Sequence, residues 1–231
     1  MQICGLNKTT LLDYPKHLAA TVFIGGCNFR CPFCQNGELV LQPQDYITAT
    51  KEEIFTFLKK RAKILSGVCI TGGEPTLQPD LADFLTRIKE LGYLIKLDTN
   101  GYQPDVIQEL YEKKLIDYIA MDIKSSPAHY EQAAGITSID IQKIKKSVLY
   151  IMRCGIDYEF RTTVVKELHT IEDFIEIRNW LAGCKRYFLQ SYVDSEYVIS
   201  RRFHAYDKEE LLKFADILKT KIPNTFLRGV D

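Results

Sequence analysis

Short apolar runs alternate with helical patterns along most of this chain, and that alternation restricts the fold more than any other feature. The runs "LAATVFIG" (18–25), "GVCITG" (67–72), "GYLIKLDT" (92–99), "DYIAMDI" (117–123), "YEFRTTVV" (158–165) and "RYFLQSYV" (186–193) predict strands. Between them, apolar residues recur every three or four positions. Thr50 and Glu53 make a capping-box pattern ahead of Ile54, Phe57, Leu58 and Leu65, and Asp80 precedes Leu81, Phe84, Leu85, Ile88 and Leu91. Further helices are predicted over 104–114, 139–153, 170–182 (opened by Thr170 and Asp173) and 207–220. Strands apolar on both faces, separated by helices, require a parallel sheet covered by those helices. Six such units make an α/β fold, either an open doubly wound sheet or most of a β/α barrel. In both, ligands gather at the C-terminal ends of the strands.

A chain of 231 residues without a linker-like shift in composition reads as a single domain, 1–231, with the portion 194–231 carrying the weakest signals. Lys+Arg and Asp+Glu number 30 each, so no overall field favours nucleic acid or an anionic membrane. The sequence has no membrane-length apolar run, and "MQICGLNKTTLLDYPKH" lacks a signal peptide's apolar core. A cytoplasmic protein is expected, with no nucleic-acid or membrane partner. Its seven cysteines are an odd number, which argues against a disulfide framework. Cys69, Cys154 and Cys184 lie in apolar or periodic segments and read as buried thiols; Cys4 receives no assignment.

The other three cysteines are different. In "GGCNFRCPFCQNGE" (25–38), Cys27, Cys31 and Cys34 are spaced C-x3-C-x2-C on the loop after the first predicted strand. The interleaved Asn28, Arg30, Pro32, Gln35 and Asn36 read as loop rather than core. Three thiolates suit two kinds of centre. Zinc would need a fourth ligand, and His17, His129, His169 and His204 show no paired spacing. A cubane [4Fe–4S] cluster would leave one iron open for a small chelating molecule. Other polar motifs fall at the ends of later strands: Gly72-Gly73-Glu74 after the second, Asp98-Thr99-Asn100-Gly101 at the third, Asp122 and Lys124 at the fourth. Paired glycines allow close backbone approach. Asp122 and Lys124, two apart, are expected on one side of a strand. Arg161, inside an apolar run, needs an anionic partner.

With Phe33 just before its third cysteine, the C-x3-C-x2-C loop resembles the signature of the radical S-adenosylmethionine (SAM) superfamily. The resemblance implies a partial (β/α)6 barrel and one [4Fe–4S] cluster on Cys27, Cys31 and Cys34, with SAM chelating the open iron. It further implies reductive cleavage of SAM to methionine and a 5′-deoxyadenosyl radical, with no catalytic side chain beyond the cluster and SAM. Gly72, Gly73 and Glu74 match the motif that contacts the methionyl group, and Phe33 is carried over from the cluster signature. "DTNG" (Asp98, Thr99, Asn100) and D-x-K (Asp122, Lys124) resemble strand-end motifs of glycyl-radical-enzyme activating enzymes. In those, the lysine approaches the SAM carboxylate and the aspartates hold a monovalent cation beside it. Arg161 joins this cofactor-binding set.

"GLNKTTLLDYPKHLAATVFIGGCNFRCPFCQN", with its "LLDYP", resembles the activating proteins of anaerobic ribonucleoside-triphosphate reductase. Such proteins abstract hydrogen from a backbone glycine of a partner glycyl radical enzyme, fed by an electron donor such as flavodoxin or ferredoxin. The sequence departs from the group in two places. Gln35 stands where many activases carry histidine, and Tyr192 and Val193 replace the histidine expected near the adenine. Only Cys184 lies in the last third of the chain, which argues against auxiliary clusters. Two other readings stay open: a radical SAM enzyme acting on a small molecule or peptide, and a non-catalytic metal-binding module.

Overall fold

The aliphatic runs extend and the periodic segments coil close to where the sequence places them. In chain order the elements are β1 (Ile3–Thr10), β2 (Ala19–Ile24), α1 (Gly37–Leu41), α2 (Lys51–Arg61), β3 (Gly67–Gly72), α3 (Leu81–Glu90), β4 (Leu94–Thr99) and α4 (Pro104–Glu112). They continue as β5 (Tyr118–Asp122), α5 (Tyr130–Ala134), α6 (Ile141–Arg153), β6 (Asp157–Val164), α7 (Ile171–Trp180), β7 (Tyr187–Ser191), α8 (Lys208–Lys219) and β8 (Thr225–Arg228). These come from a computed structural model that describes residues 1–230. The class is α/β with parallel strands. The chain forms two compact units, Met1–Asn28 with Glu38–Ala120, and Phe29–Gly37 with the chain from Met121 onward.

In the first unit β2, β3 and β4 run parallel, with Val68 beside Ala20 and Ile95, and Ile24 beside Gly72. Ile70, Ile95 and Leu97 are fully buried there, as are Ile54 and Leu58 of α2 and Leu85 and Ile88 of α3, with Phe84 nearly so. Phe55, rather than the expected Phe57, is the buried phenylalanine of α2, and its ring meets Phe84 at 5.2 Å between centroids. The capping box forms: Glu53 N–H donates to Thr50 Oγ1 at 3.2 Å, and Thr50 N–H to Glu53 Oε2 at 2.7 Å. Such a cap contributes about 1 kcal/mol. Each fully buried Leu or Phe contributes about 1.5–3 kcal/mol, so packing dominates and the cap sets where the helix starts.

Strand β1, antiparallel to β2, is absent from the sequence expectations. Its residues "ICGLNKTT" leave the central stretch exposed, and a strand wetted on one side needs no apolar run. The "LLDYP" segment that follows has a packing role. Tyr14 is buried against Ala19, Tyr118 and Ala120, and Asp13 accepts from Thr21 Oγ1 at 2.5 Å.

In the second unit β6, β7 and β8 run parallel, pairing Phe160 with Tyr187 and Leu189 with Leu227. Phe174 of α7 stacks on Phe214 of α8 at 4.6 Å. Both helices open on reciprocal caps. Thr170 N–H donates to Asp173 Oδ2 at 2.9 Å, and Asp207 Oδ1 accepts from Glu210 N–H at 2.8 Å. β8, four residues long, was too short to register as a strand pattern. All seven cysteines are thiols. Cys69 and Cys184 are buried as expected, but Cys154, capping the end of α6, is only half-buried. Among the described residues, no helix is long and apolar enough to cross a membrane.

Candidate functional site

The residues singled out by sequence divide between the two units. In the first, the register Ile24–Gly72 carries two chain segments off the sheet side by side. Gly73 N–H donates to Ile24 O at 2.7 Å, and Glu74 N–H to Gly26 O at 2.8 Å. The pairing therefore continues past the strands. A Cβ on Gly73 would overlap the Gly26 carbonyl, so only glycine admits this approach. Gln78 Nε2 adds a bond to Gly25 O at 3.1 Å. Gly72 and Gly73 thus fix the backbone leading into Cys27.

Glu74 is fully buried. Its Oε1 accepts from Thr76 N–H (3.1 Å), Thr76 Oγ1 (2.5 Å) and Thr99 Oγ1 (2.8 Å), and its Oε2 from Asn100 N–H (2.6 Å). Burial pushes the carboxyl up, against the pull of these four donors. The carboxylate ties the turn after β3 to the turn after β4. Thr99 Oγ1 also accepts from Gly101 N–H at 3.1 Å. Asp98 points elsewhere. It pairs with the buried Lys96 and accepts from Thr71 Oγ1 at 3.1 Å, with the Cys69 thiol 3.7 Å away.

Asn100 completes the cluster in this unit. Its Oδ1 accepts from Tyr102 N–H at 2.9 Å, which fixes the amide's orientation, because a flipped NH2 would face a donor. Its Nδ2 then lies 2.8 Å from Asn28 Oδ1 and 3.8 Å from Cys27 Sγ. Asn28 Nδ2 is buried with no partner among the described residues. An orphaned buried donor costs about 1–3 kcal/mol, which an incoming acceptor would recover.

In the second unit the remaining cysteines sit on a loop braced by main-chain bonds. Arg30 N–H donates to Ala134 O at 2.9 Å, Ser200 N–H to Pro32 O at 2.8 Å and Ile199 N–H to Cys34 O at 3.3 Å. Gly135, left-handed at the end of α5, lies so close to Arg30 O that a Cβ could not fit. Gln35 Nε2 donates to Val193 O at 2.9 Å. Phe33 is buried, its ring edge-on to His169 and Phe203 at 6.1 and 6.4 Å, so it anchors the loop.

Asp122, at the end of β5, gathers the cations. Arg161 Nε donates to its Oδ1 at 2.5 Å and Lys124 Nζ to its Oδ2 at 2.9 Å. Arg161 thus finds the anionic partner its apolar surroundings demand. Lys124 lies beyond the strand, which ends at Asp122, so the pair forms without the shared strand face that the sequence suggested. Burial would push Asp122 up, but Arg161 and then Lys124 hold it well below the usual carboxylate range. Burial likewise opposes the Lys124 ammonium, yet Asp122, Cys31 and Cys34 keep it firmly protonated. Burial raises the Cys34 thiol, with Lys124 pulling the other way.

Sequence reasoning missed His169, which is buried. Val165 N–H donates to Nδ1 at 3.1 Å, which leaves the proton on Nε2 to reach Lys124 O at 2.8 Å. It therefore sets the backbone that carries Lys124. A lone histidine in a strand-to-helix loop gives no signal of this.

The donor set fits a [4Fe–4S] cluster. Three thiols within eight residues of sequence suit an anionic iron–sulfur group, and each unit adds its own donors: Lys124, kept charged, in the unit of Cys31 and Cys34, and the Asn100 amide at Cys27 in the other. Among the described residues, no three His, Cys, Asp or Glu side chains gather closely enough to hold a single ion. In a cubane each thiolate binds a different iron, so no such convergence is required.

The model of the radical SAM superfamily matches residues 21–181. A Methanocaldococcus jannaschii protein, provisionally named a glycyl-radical enzyme activating enzyme, is 32% identical over 99% of this chain and 96% of its own length. Among solved structures, Streptococcus suis SuiB bound to S-adenosylmethionine shares the fold with a TM-score of 0.70 at 17% identity. It covers 90% of this chain, which spans about half of SuiB (52%). A domain of pyruvate-formate lyase-activating enzyme from Bacteroides vulgatus matches with a TM-score of 0.59 at 18% identity, over 71% of this chain and 99% of that domain. The chain belongs to the radical SAM superfamily, an enzyme family whose members carry a [4Fe–4S] cluster and use SAM.

Proposed function

We propose that this radical SAM enzyme activates a glycyl radical enzyme by removing a hydrogen atom from a backbone glycine of that partner. The observation that carries the reading is the near end-to-end match to a relative named for that activity. When bound, the reduced cluster supplies one electron to cleave SAM into methionine and a 5′-deoxyadenosyl radical. On this reading the whole chain, 1–231, is one catalytic domain in the cytoplasm. Cys27, Cys31 and Cys34 hold the cluster. Lys124, kept charged by Asp122, takes the SAM carboxylate, and Arg161 keeps Asp122 ionised. Glu74 and Thr99 brace the turn on which Asn100 sits. Gly72, Gly73 and Phe33 shape the backbone around the cysteines. The resemblance also implies a monovalent cation near Asp98 and Asp122, whose present partners are Lys96 for the first and Lys124 and Arg161 for the second. The resemblance of the "LLDYP" segment favours an anaerobic ribonucleotide reductase as partner, with flavodoxin or ferredoxin as electron donor.

The test is anaerobic reconstitution with iron and sulfide, reduction, and addition of SAM with the candidate partner. The expected result is 5′-deoxyadenosine together with a glycyl-radical doublet on the partner in electron paramagnetic resonance. Deoxyadenosine without a protein radical would move the reading to a small-molecule or peptide substrate. A correctly loaded cluster that never cleaves SAM would remove it.

A further inference from the structure

We propose that Asn28 and Asn100 are positioning residues that tune the cluster's reduction potential by donating N–H bonds at the Cys27 corner, which neither the fold nor the cysteine motif requires of them. The proposal rests on the reading of Cys27 as a cluster ligand. Asn100 is 5% exposed and held at three points: its N–H by Glu74, its Oδ1 by Tyr102, and its Nδ2 by Asn28. With Oδ1 committed to Tyr102, the amide has only donors left to present, and Cys27 Sγ stands 3.8 Å from Nδ2. As a thiol, Cys27 donates a hydrogen bond to Asn28 Oδ1 at 3.9 Å. As a ligating thiolate it has no proton to give and can only accept. Ligation therefore turns the Asn100 contact into a charge-assisted bond. Asn28, its Oδ1 occupied by Asn100, keeps a buried Nδ2 with no acceptor among the described residues. An iron–sulfur group on Cys27 brings sulfur acceptors to that loop.

The consequence is electrostatic. One-electron reduction adds a negative charge to the cluster, and N–H donors stabilise the more negative state preferentially. In a buried setting the effect is stronger than in water. The two amides thus raise the potential and ease electron entry.

The experiment uses reconstituted protein carrying 15N-labelled asparagine, reduced and examined by pulsed electron paramagnetic resonance, with potentials from a redox titration. The wild type should show weak 15N couplings to the cluster, and Asn100→Ala and Asn28→Ala should each remove one of them. Both Asn100→Ala and Asn28→Ala should keep four irons per chain. At a fixed reductant poise Asn100→Ala should show about tenfold less reduced cluster, equivalent to about 59 mV for one electron. Absence of 15N coupling in a wild type with a full cluster would overturn the proposal even if the variants fail to fold. So would unchanged potentials in loaded variants. A wild type that assembles no four-iron cluster would remove the cluster reading and this proposal together.

Discussion

Glu74 and Asp122 lie in different units and solve the problem of a sequestered carboxylate in opposite ways. Glu74 is surrounded by neutral donors, two hydroxyls and two backbone amides, with burial still raising its pKa. Asp122 is surrounded by a guanidinium and an ammonium, which lower it. Neutral donors hold geometry; cations hold charge. A carboxylate that splints two turns needs the first, and one that keeps a buried lysine charged needs the second.

The strongest way to break the contrast is Asp122→Ala. It strands two cations whose side chains are 15% and 17% exposed. A loss of about 3 kcal/mol is expected in urea unfolding, the low end for breaking a buried pair because Asp122 keeps some solvent contact. A loss below ~1 kcal/mol, the range of a surface pair, would show that the cluster of charges is solvated rather than structural. Lys124→Ala should leave iron content intact and weaken SAM binding about ten- to a hundredfold, as removal of a charged hydrogen bond does. Unchanged affinity in calorimetry would take Lys124 out of the SAM site.

On the other side of the contrast, Glu74→Gln should cost about 1–3 kcal/mol at pH 7, because its NH2 would confront the Asn100 N–H and leave it unsatisfied. Thr99→Val, which deletes one of the four donors and also the hydroxyl that accepts from Gly101 N–H, should cost about 1–3 kcal/mol. A loss below ~0.5 kcal/mol would show that this hydroxyl is no part of the splint.

The pH dependence sharpens the comparison most finely. Glu74, raised in the fold, contributes stability that is present below the unfolded carboxylate value of about 4.3 and lost as pH climbs through the native one. Asp122, depressed, contributes stability present above about 3.9 and lost only in stronger acid. Unfolding curves between pH 3 and 7 should therefore diverge from wild type in opposite directions for variants at the two positions. Parallel curves would contradict the assignment.

The same contrast separates what the sequence disclosed from what it hid. Strands β2 to β7 were readable because buried parallel strands must be continuously apolar, and α2 and α7 because their caps leave a residue-level signature. β1 and β8 escaped because a partly wetted strand and a four-residue strand have no such pattern. At the site, Arg161 announced its need for an anion, since a guanidinium in an apolar run has few alternatives. Asn28, Thr76 and His169 announced nothing. Asparagine and threonine are ordinary in turns, and the role of Asn28 depends on Asn100, 72 positions away, while Thr76 matters only because its neighbour Glu74 is buried.

The close approach of Gly73 to the Gly26 carbonyl bears on how substitutions in this motif are interpreted. Any side chain at 73 would wedge the two segments apart and drag the first cysteine off its path, whether or not a ligand ever touches that position. A mutational scan would score Gly73→Ala as dead and credit the loss to cofactor recognition. Iron content and thermal melting of the same variant would separate an assembly defect from a recognition defect, and steric exclusion at this position calls for the first.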